Sequence, residues 1–131
     1  MRRSLLVATF LFVMCVAGAS AARSVGFYGC RAFVSKHPTP LVRPRSMVIA
    51  CGDGNLYLTG IHWSAWTAAH ASGSGTVHAN DCKPNCAAGH FHTAPGTLLL
   101  VTPIVCKGAH VFSEAAVKSV LVNEDVRYGG C

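Results

Sequence analysis

Hydrophobic residues in this chain fall into short runs that are separated by glycine, proline and small polar residues. The runs 47–51 and 56–63 flank the sequence Gly52-Asp53-Gly54-Asn55, whose residues favour tight turns. Because both runs are rich in strand-forming residues, the pattern predicts a β-hairpin. Its second strand should place Tyr57, Thr59, Ile61 and Trp63 on one face and Leu56, Leu58, Gly60 and His62 on the other. Neither face is polar, so we expect this strand to be covered on both sides.

Three further segments extend this pattern. Residues 64–75 are small and polar, and we expect them to connect the hairpin to a third strand at 76–79. Residues 97–105 form an apolar run in which Pro103 lacks a backbone donor, which indicates an edge position, a bulge or the end of a strand. Residues 111–122 fit a strand or a short helix beginning near Ser113, and we favour the strand. The sequence therefore predicts an all-β fold, a small disulfide-stapled sandwich or barrel.

The N-terminal segment has the pattern of a secretory signal peptide. A charged start, Met1-Arg2-Arg3, precedes an apolar run from Leu5 to Gly18 and small residues up to Ala22. This run is too short for a transmembrane helix, and no later segment is longer, so we expect no membrane span in the mature protein. A lipid anchor on Cys15 is disfavoured by the bulky Met14 before it. We predict a secreted, extracytoplasmic protein from which residues 1–22 are removed.

The remaining chain divides into residues 23–46, an extended arm rich in proline and basic residues, and residues 47–131, a single β-rich domain. The prolines at 38, 40 and 44 disfavour a helix in the arm. Loss of Arg2 and Arg3 lowers the formal net charge from +6 to about +4. This excess suits an anionic cell wall or membrane surface and is also ordinary for solubility. The basic residues form no stripe with interleaved aromatics, so we do not expect nucleic acid as a partner.

The cysteine count is the strongest signal in the composition. Six cysteines remain after export: Cys30, Cys51, Cys82, Cys86, Cys106 and Cys131. An even number in a short exported chain predicts disulfide bonds. We expect Cys30 to tie the arm to the domain, but the pairing stays open. A Cys82–Cys86 bond would close a very small loop, whereas a bond from either residue to Cys51 would join two strands.

Residues 80–92, with the sequence NDCKPNCAAGHFH, carry the densest set of chemically capable side chains. Cys82, Cys86, His90 and His92 are a ligand set that zinc accepts. A zinc or copper site made of histidines alone could combine His90 and His92 with His62 or His78. Because an oxidising compartment converts thiols to disulfides, we favour a stapled turn over a metal site. We expect no cofactor.

The remaining candidate residues carry weaker signals. The five acidic residues form no evident catalytic pair, and the sequence contains neither a nucleophile elbow nor a glycine-rich phosphate loop. Trp63 and Trp66 could contact a ligand or a partner, or they could fill the core, and we favour the core.

Residues 45–92 resemble a group of small exported actinobacterial proteins that have no assigned function. The shared features are Ala50-Cys51, Asp53-Gly54-Asn55, Trp63-x-x-Trp66 and Asn80-Asp81-Cys82-x-Pro84-x-Cys86-Ala87-x-Gly89. The resemblance implies an extracytoplasmic β-rich domain and brings no catalytic residues. We therefore expect a non-enzymatic binding module whose partner is a cell-envelope component or another protein. A histidine-based metal-binding protein is the alternative, and an uncharacterised hydrolase is the third possibility.

Overall fold

The computed structural model describes residues 24–129. The predicted signal peptide, Cys15 and Cys131 lie outside these residues. The described elements are β1 (Gly26–Phe27), α1 (Arg31–Val34), β2 (Ser46–Val48), β3 (Leu56–Trp66), β4 (Ala71–Asn80), β5 (Phe91–Cys106), β6 (Ala109–Ser119) and β7 (Asn123–Arg127). All strands belong to one sheet, which curls into a half-barrel. The predicted all-β fold is confirmed.

The sheet has the order β1-β6-β5-β4-β3-β2, and β7 also pairs with β6. Strands β2 to β7 follow one another as antiparallel neighbours. Strand β1 is the exception, because it runs parallel to β6 with Gly26 opposite Val111 and Phe27 opposite Phe112. Part of the predicted N-terminal arm is therefore a strand of the same sheet, and residues 31–34 of the arm form a helical turn.

The predicted assignment of faces in β3 is wrong beyond Thr59. Gly60 has a φ of +60°, and the pairing with β4 shifts register between Thr59 and His62. This β-bulge inserts one residue and reverses the alternation of the side chains that follow. Leu58 and Ile61 consequently both point into the core, and Trp63 packs against it as well.

The stretch predicted to be a connection is instead the end of β3 and the beginning of β4. Small residues are required there because the two strands approach closely. A Cβ atom on Gly73 would lie 2.8 Å from the His62 carbonyl oxygen and 3.1 Å from the Trp63 ring. A Cβ atom on Gly75 would lie 2.8 Å from the Thr59 carbonyl oxygen. The glycine-rich composition thus reflects packing against the bulged strand rather than a flexible loop.

Strand β5 is longer than predicted, and Pro103 lies inside it. Pairing of β5 with β4 ends at Leu100, whereas pairing with β6 continues to Cys106. Pro103 therefore sits where β5 has a sheet neighbour on one side only, which agrees with the edge position that its missing donor predicts. Residues 111–119 are part of strand β6, so the favoured strand assignment is correct there.

The two ends of the sheet meet across the core. Tyr128, which follows β7, donates a hydrogen bond from its hydroxyl to the Ile49 carbonyl oxygen at 3.3 Å, just beyond β2. Its ring packs edge-on against Phe27 with the centroids 5.0 Å apart. Burial raises the pKa of the Tyr128 hydroxyl well above its ordinary value. Among residues 24–129, no helix has the length and apolar character that crossing a membrane requires.

Candidate functional site

The dense segment after β4 is a turn built by the side chains of Asn80 and Asp81. The Asn80 amide donates to the Asn55 side-chain oxygen at 2.8 Å and to the Cys86 carbonyl at 2.9 Å, and its own oxygen accepts the Cys82 N–H. A Cβ atom on Gly89 would collide with this Asn80 oxygen. The Cys82–Cys86 disulfide closes the loop. The arrangement agrees with the predicted stapled turn.

Asp81 holds the two ends of this loop together. Its Oδ1 accepts the backbone N–H of His90 at 3.0 Å and that of Lys83 at 3.1 Å, and its Oδ2 lies 3.1 Å from the His92 Nε2. These donors, led by the His90 N–H, hold the pKa of Asp81 well below its ordinary value. A carboxylate within hydrogen-bond reach of a histidine is an arrangement that general acid–base catalysis can use. Here Oδ1 is already bound to loop backbone, which assigns the carboxylate an architectural task.

The four histidines proposed as metal ligands are not brought together. His78 accepts or donates a hydrogen bond with Thr59 Oγ1 at 2.9 Å and stacks on Tyr57. His92 pairs with Ala79 across the sheet, so it points to the opposite face from His78. His62 lies opposite Ser74, four residues along β4 from His78, which is roughly 13 Å. Residues 24–129 contain no group of three or more His, Cys, Asp or Glu side chains placed to hold a metal.

The cysteines follow the disulfide prediction as far as they are described. Cys30 bonds to Cys51, which ties the arm to the domain as expected. Cys82 bonds to Cys86, so the small-loop alternative is the one observed and this pair offers no thiolates to zinc. Cys106 is also disulfide-bonded, and it is buried. Intramolecular disulfides fit an extracellular environment.

Trp63 and Trp66 are half-buried and contribute to the structure. Their rings form an edge-to-face pair with the centroids 4.6 Å apart, and Trp66 also contacts Phe112. The Trp63 indole N–H donates to the Pro44 carbonyl at 2.9 Å, and the Trp66 indole N–H donates to the Val25 carbonyl at 2.7 Å. The polar atom of each ring is thus occupied by the backbone of the N-terminal segment. Both tryptophans fasten that segment to the core.

A concavity lies on the outer face of β5, β6 and β7. We call it the groove, and its volume is about 760 Å³. Cross-strand pairing arranges its outward side chains in three rows, which are Thr97–Lys118, Leu99–Ala116–Asp125 and Val101–Glu114–Arg127. Ala116 occupies the middle of this array. Its small side chain leaves a depression between longer neighbours, which explains why a sheet face is concave here.

The groove has one apolar wall and one charged wall. Leu99 and Val101 of β5 supply the apolar wall, and Asp125 and Arg127 of β7 supply the charged wall. Arg127 Nε lies 3.0 Å from Glu114 Oε1, so the row at that end is an ion pair. Within residues 24–129, no carboxylate lies within ion-pair distance of Lys118, at the other end. A ligand with an apolar body and charged ends would match this surface.

The groove is not predictable from the sequence alone. Residues 97–105 read as a continuous apolar run, which hid the alternation of the outward Leu99 with the buried Leu98 and Leu100. Glu124 and Asp125 belong to β7, a strand that the hydrophobic pattern does not indicate. The usable signal was the outward series Glu114, Ala116 and Lys118, in which a small residue separates two opposite charges.

No protein-family model, curated protein or solved structure matches this chain.

Proposed function

We propose that this protein is a secreted, non-enzymatic binding module that acts at the cell envelope or outside the cell, and that the groove is its ligand site. The observation that carries the proposal is the groove itself, a preformed concavity with an apolar wall, a charged wall and an open cationic end. The disulfides support an extracytoplasmic setting, and the pattern of residues 1–22 predicts a signal peptide.

The ligand class follows from the spacing of the charges. Glu114 and Lys118 are four residues apart on β6, which corresponds to about 13 Å along the strand. An extended peptide of about four residues spans that distance at the same rise per residue. Its carboxylate would meet Lys118 and the Thr97 hydroxyl, and its amino group would meet Asp125 and Glu114. Its apolar side chains would lie against Leu99 and Val101.

The experiment is a titration of the oxidised protein with an apolar tetrapeptide that has free ends, followed through amide shifts in ¹H–¹⁵N spectra. We expect the shifts to concentrate at residues of the groove. Lys118→Glu should lower the affinity about tenfold, the loss expected for one charge-assisted hydrogen bond. Lys83→Glu changes the net charge equally at an exposed site outside the groove and should have no effect.

A second peptide makes the test specific. The same sequence with an acetylated amino end and an amidated carboxyl end keeps the apolar body and loses both charges. The native protein should bind this capped peptide more weakly than the free peptide. The Lys118→Glu variant should bind the capped peptide as weakly as the native protein does. Equal affinity of the two peptides for the native protein, or shifts that avoid β5 to β7, would refute the proposed ligand site.

A further inference from the structure

A second surface, remote in sequence from the groove, surrounds the Cys30–Cys51 disulfide. It is formed by residues 30–52, and we call it the disulfide face. An open concavity of about 440 Å³ is lined there by Cys30, Arg31, Phe33, Val34, Cys51 and Gly52. A smaller one of about 190 Å³ shares Cys30 and Arg31 and extends to Leu41 and Val48. The two concavities therefore form one continuous surface, which shares no lining residue with the groove.

The disulfide face is unusually apolar for an exposed surface. Of the nine large hydrophobic side chains that are exposed among residues 24–129, four belong to it, namely Phe33, Val34, Val42 and Val48. Phe33 is 56% exposed and Val34 is 85% exposed, although both follow the buried Ala32 in α1. Exposed apolar residues that are scattered singly need no explanation, but a cluster of them marks an interaction site.

The charged side chains of this segment are all positive. Residues 24–52 contain four exposed cations, Arg31, Lys36, Arg43 and Arg45, and no aspartate or glutamate. The nearest acidic residue along the chain is Asp53, which follows the disulfide and accepts the Asn55 N–H with its carboxylate. A ligand for this surface must therefore be both anionic and able to receive apolar side chains. An anionic lipid bilayer offers both in one plane.

The exposed side chains are held in place rather than mobile on a free arm. The disulfide fixes Cys30 beside the β2–β3 turn. Lys107 donates from its Nζ to the Ala32 carbonyl at 2.6 Å and to the Ser35 carbonyl at 2.9 Å, which secures the end of α1. The trailing part of the segment is fastened by the Trp63 hydrogen bond to Pro44. Insertion would therefore cost little ordering of the protein.

We propose that the disulfide face docks on an anionic lipid bilayer, with Phe33 and Val34 entering the headgroup region, Arg31 binding a lipid phosphate and the other exposed cations of this segment adding to the attraction. This interaction is peripheral. It places the protein on the membrane surface while the groove stays available. It does not depend on the peptide ligand proposed above.

The test is flotation of the purified, processed protein with two kinds of vesicle, one of phosphatidylglycerol mixed with phosphatidylcholine and one of phosphatidylcholine alone. We expect binding to the anionic vesicles that weakens as salt is added, and little binding to the neutral vesicles. Phe33→Ser combined with Val34→Ser should lower binding to the anionic vesicles about tenfold or more. Val120→Ser combined with Leu121→Ser, which changes an exposed apolar pair in the β6–β7 turn, should leave it unchanged.

A charge-reversal pair separates specific docking from general attraction. Lys36→Glu should reduce binding to the anionic vesicles about fivefold or more, whereas Lys83→Glu, with the same change in net charge, should have a much smaller effect. All four variants should have the same melting temperature as the native protein, since each changes exposed side chains only. Equal binding by the two serine variants, or equal binding to neutral vesicles, would overturn the proposal. So would retention on isolated cell-wall polysaccharide without retention on vesicles.

Discussion

The two described disulfides with known partners occur in regions that use the same bond for different purposes. Cys30 and Cys51 are 21 residues apart, and they follow β1 and β2, the strands at opposite ends of the sheet order. Cys82 and Cys86 are 4 residues apart, in the loop between β4 and β5, which are neighbours in any case. The first bond therefore holds the curl of the sheet. The second holds one loop, and it does so together with the side chains of Asn80 and Asp81.

The largest expected effect comes from removing the long-range bond. In the chain-entropy treatment, a disulfide that closes a loop of about 21 residues contributes roughly 3 kcal/mol and one that closes about 4 residues roughly 2 kcal/mol. Cys30→Ser with Cys51→Ser should therefore lower the free energy of unfolding more than Cys82→Ser with Cys86→Ser, as measured by urea denaturation. The hydrogen bonds of Asn80 and Asp81 remain in the second variant. An equal loss of unfolding free energy in both variants would contradict the difference in role between the two disulfides.

The next prediction concerns the hydrogen bond from Trp66 to Val25, which holds the N-terminal segment in addition to the Cys30–Cys51 disulfide. Trp66→Phe keeps most of the apolar contact with Phe112 but removes the N–H that donates to Val25. We expect a loss of about 1–2 kcal/mol in the free energy of unfolding, because a buried carbonyl loses its partner. Tyr57→Phe, on the outer face, should change stability by less than about 0.5 kcal/mol. A similar loss in both variants would show that the indole hydrogen bond contributes nothing specific.

A smaller effect concerns the bulge at Gly60, which turns Ile61 and Trp63 toward the core. Gly60→Ala places a side chain at a φ of +60°, where an added Cβ atom meets nothing within 4 Å. The cost is then purely conformational, about 1 kcal/mol. Gly52→Ala is a matched control, because its Cβ atom also meets nothing and its φ is not in the left-handed region. Thermal melting should separate the two variants, and coincident curves would contradict the role assigned to Gly60.

The smallest effect is the response of the Cys82–Cys86 loop to acid. Because the pKa of Asp81 is depressed in the folded protein, its stabilising contribution is complete above the unfolded value of about 3.9. It is lost as the pH falls below that value and through the folded pKa. The amide proton shifts of His90 and Lys83 should therefore begin to move only in strong acid. Asp81→Asn should abolish this titration while preserving the shifts of the Cys30–Cys51 region, and a titration that survives the substitution would contradict the assignment.

Local turn chemistry was the most predictable part of this molecule. Gly52-Asp53-Gly54-Asn55 indicated the β2–β3 hairpin because its residues bond their own backbone, and the Asp53 side chain does accept the Asn55 N–H. The stapled turn after β4 could be expected for the same reason. Such features depend on neighbours in sequence, so a single chain is enough to read them.

Features that depend on distant partners were not predictable. In the sequence, the glycines at 73 and 75 resemble a flexible linker. In the structure they are needed because carbonyl oxygens of β3 lie too close for a side chain. Strand β7 is short and acidic, and it forms only because β6 offers an edge to it. The groove is not predictable for the same reason, because its three rows come from strands whose pairing the sequence does not reveal. The charged residues of the groove can be read from the sequence, but the residues that lie beside them across the strands cannot.

The parallel pairing of β1 with β6 has a consequence for the order of events during synthesis. Gly26 and Phe27 leave the ribosome long before Val111 and Phe112, the residues they pair with. Phe27 can pair with Leu41 early, but the pairing of β1 with β6 must wait until nearly all of the described chain has been made. Contacts between residues so distant along the chain are slow to form. The hairpins of β2 to β5 need no late partner, so β1 joins the sheet only in its last stage of assembly.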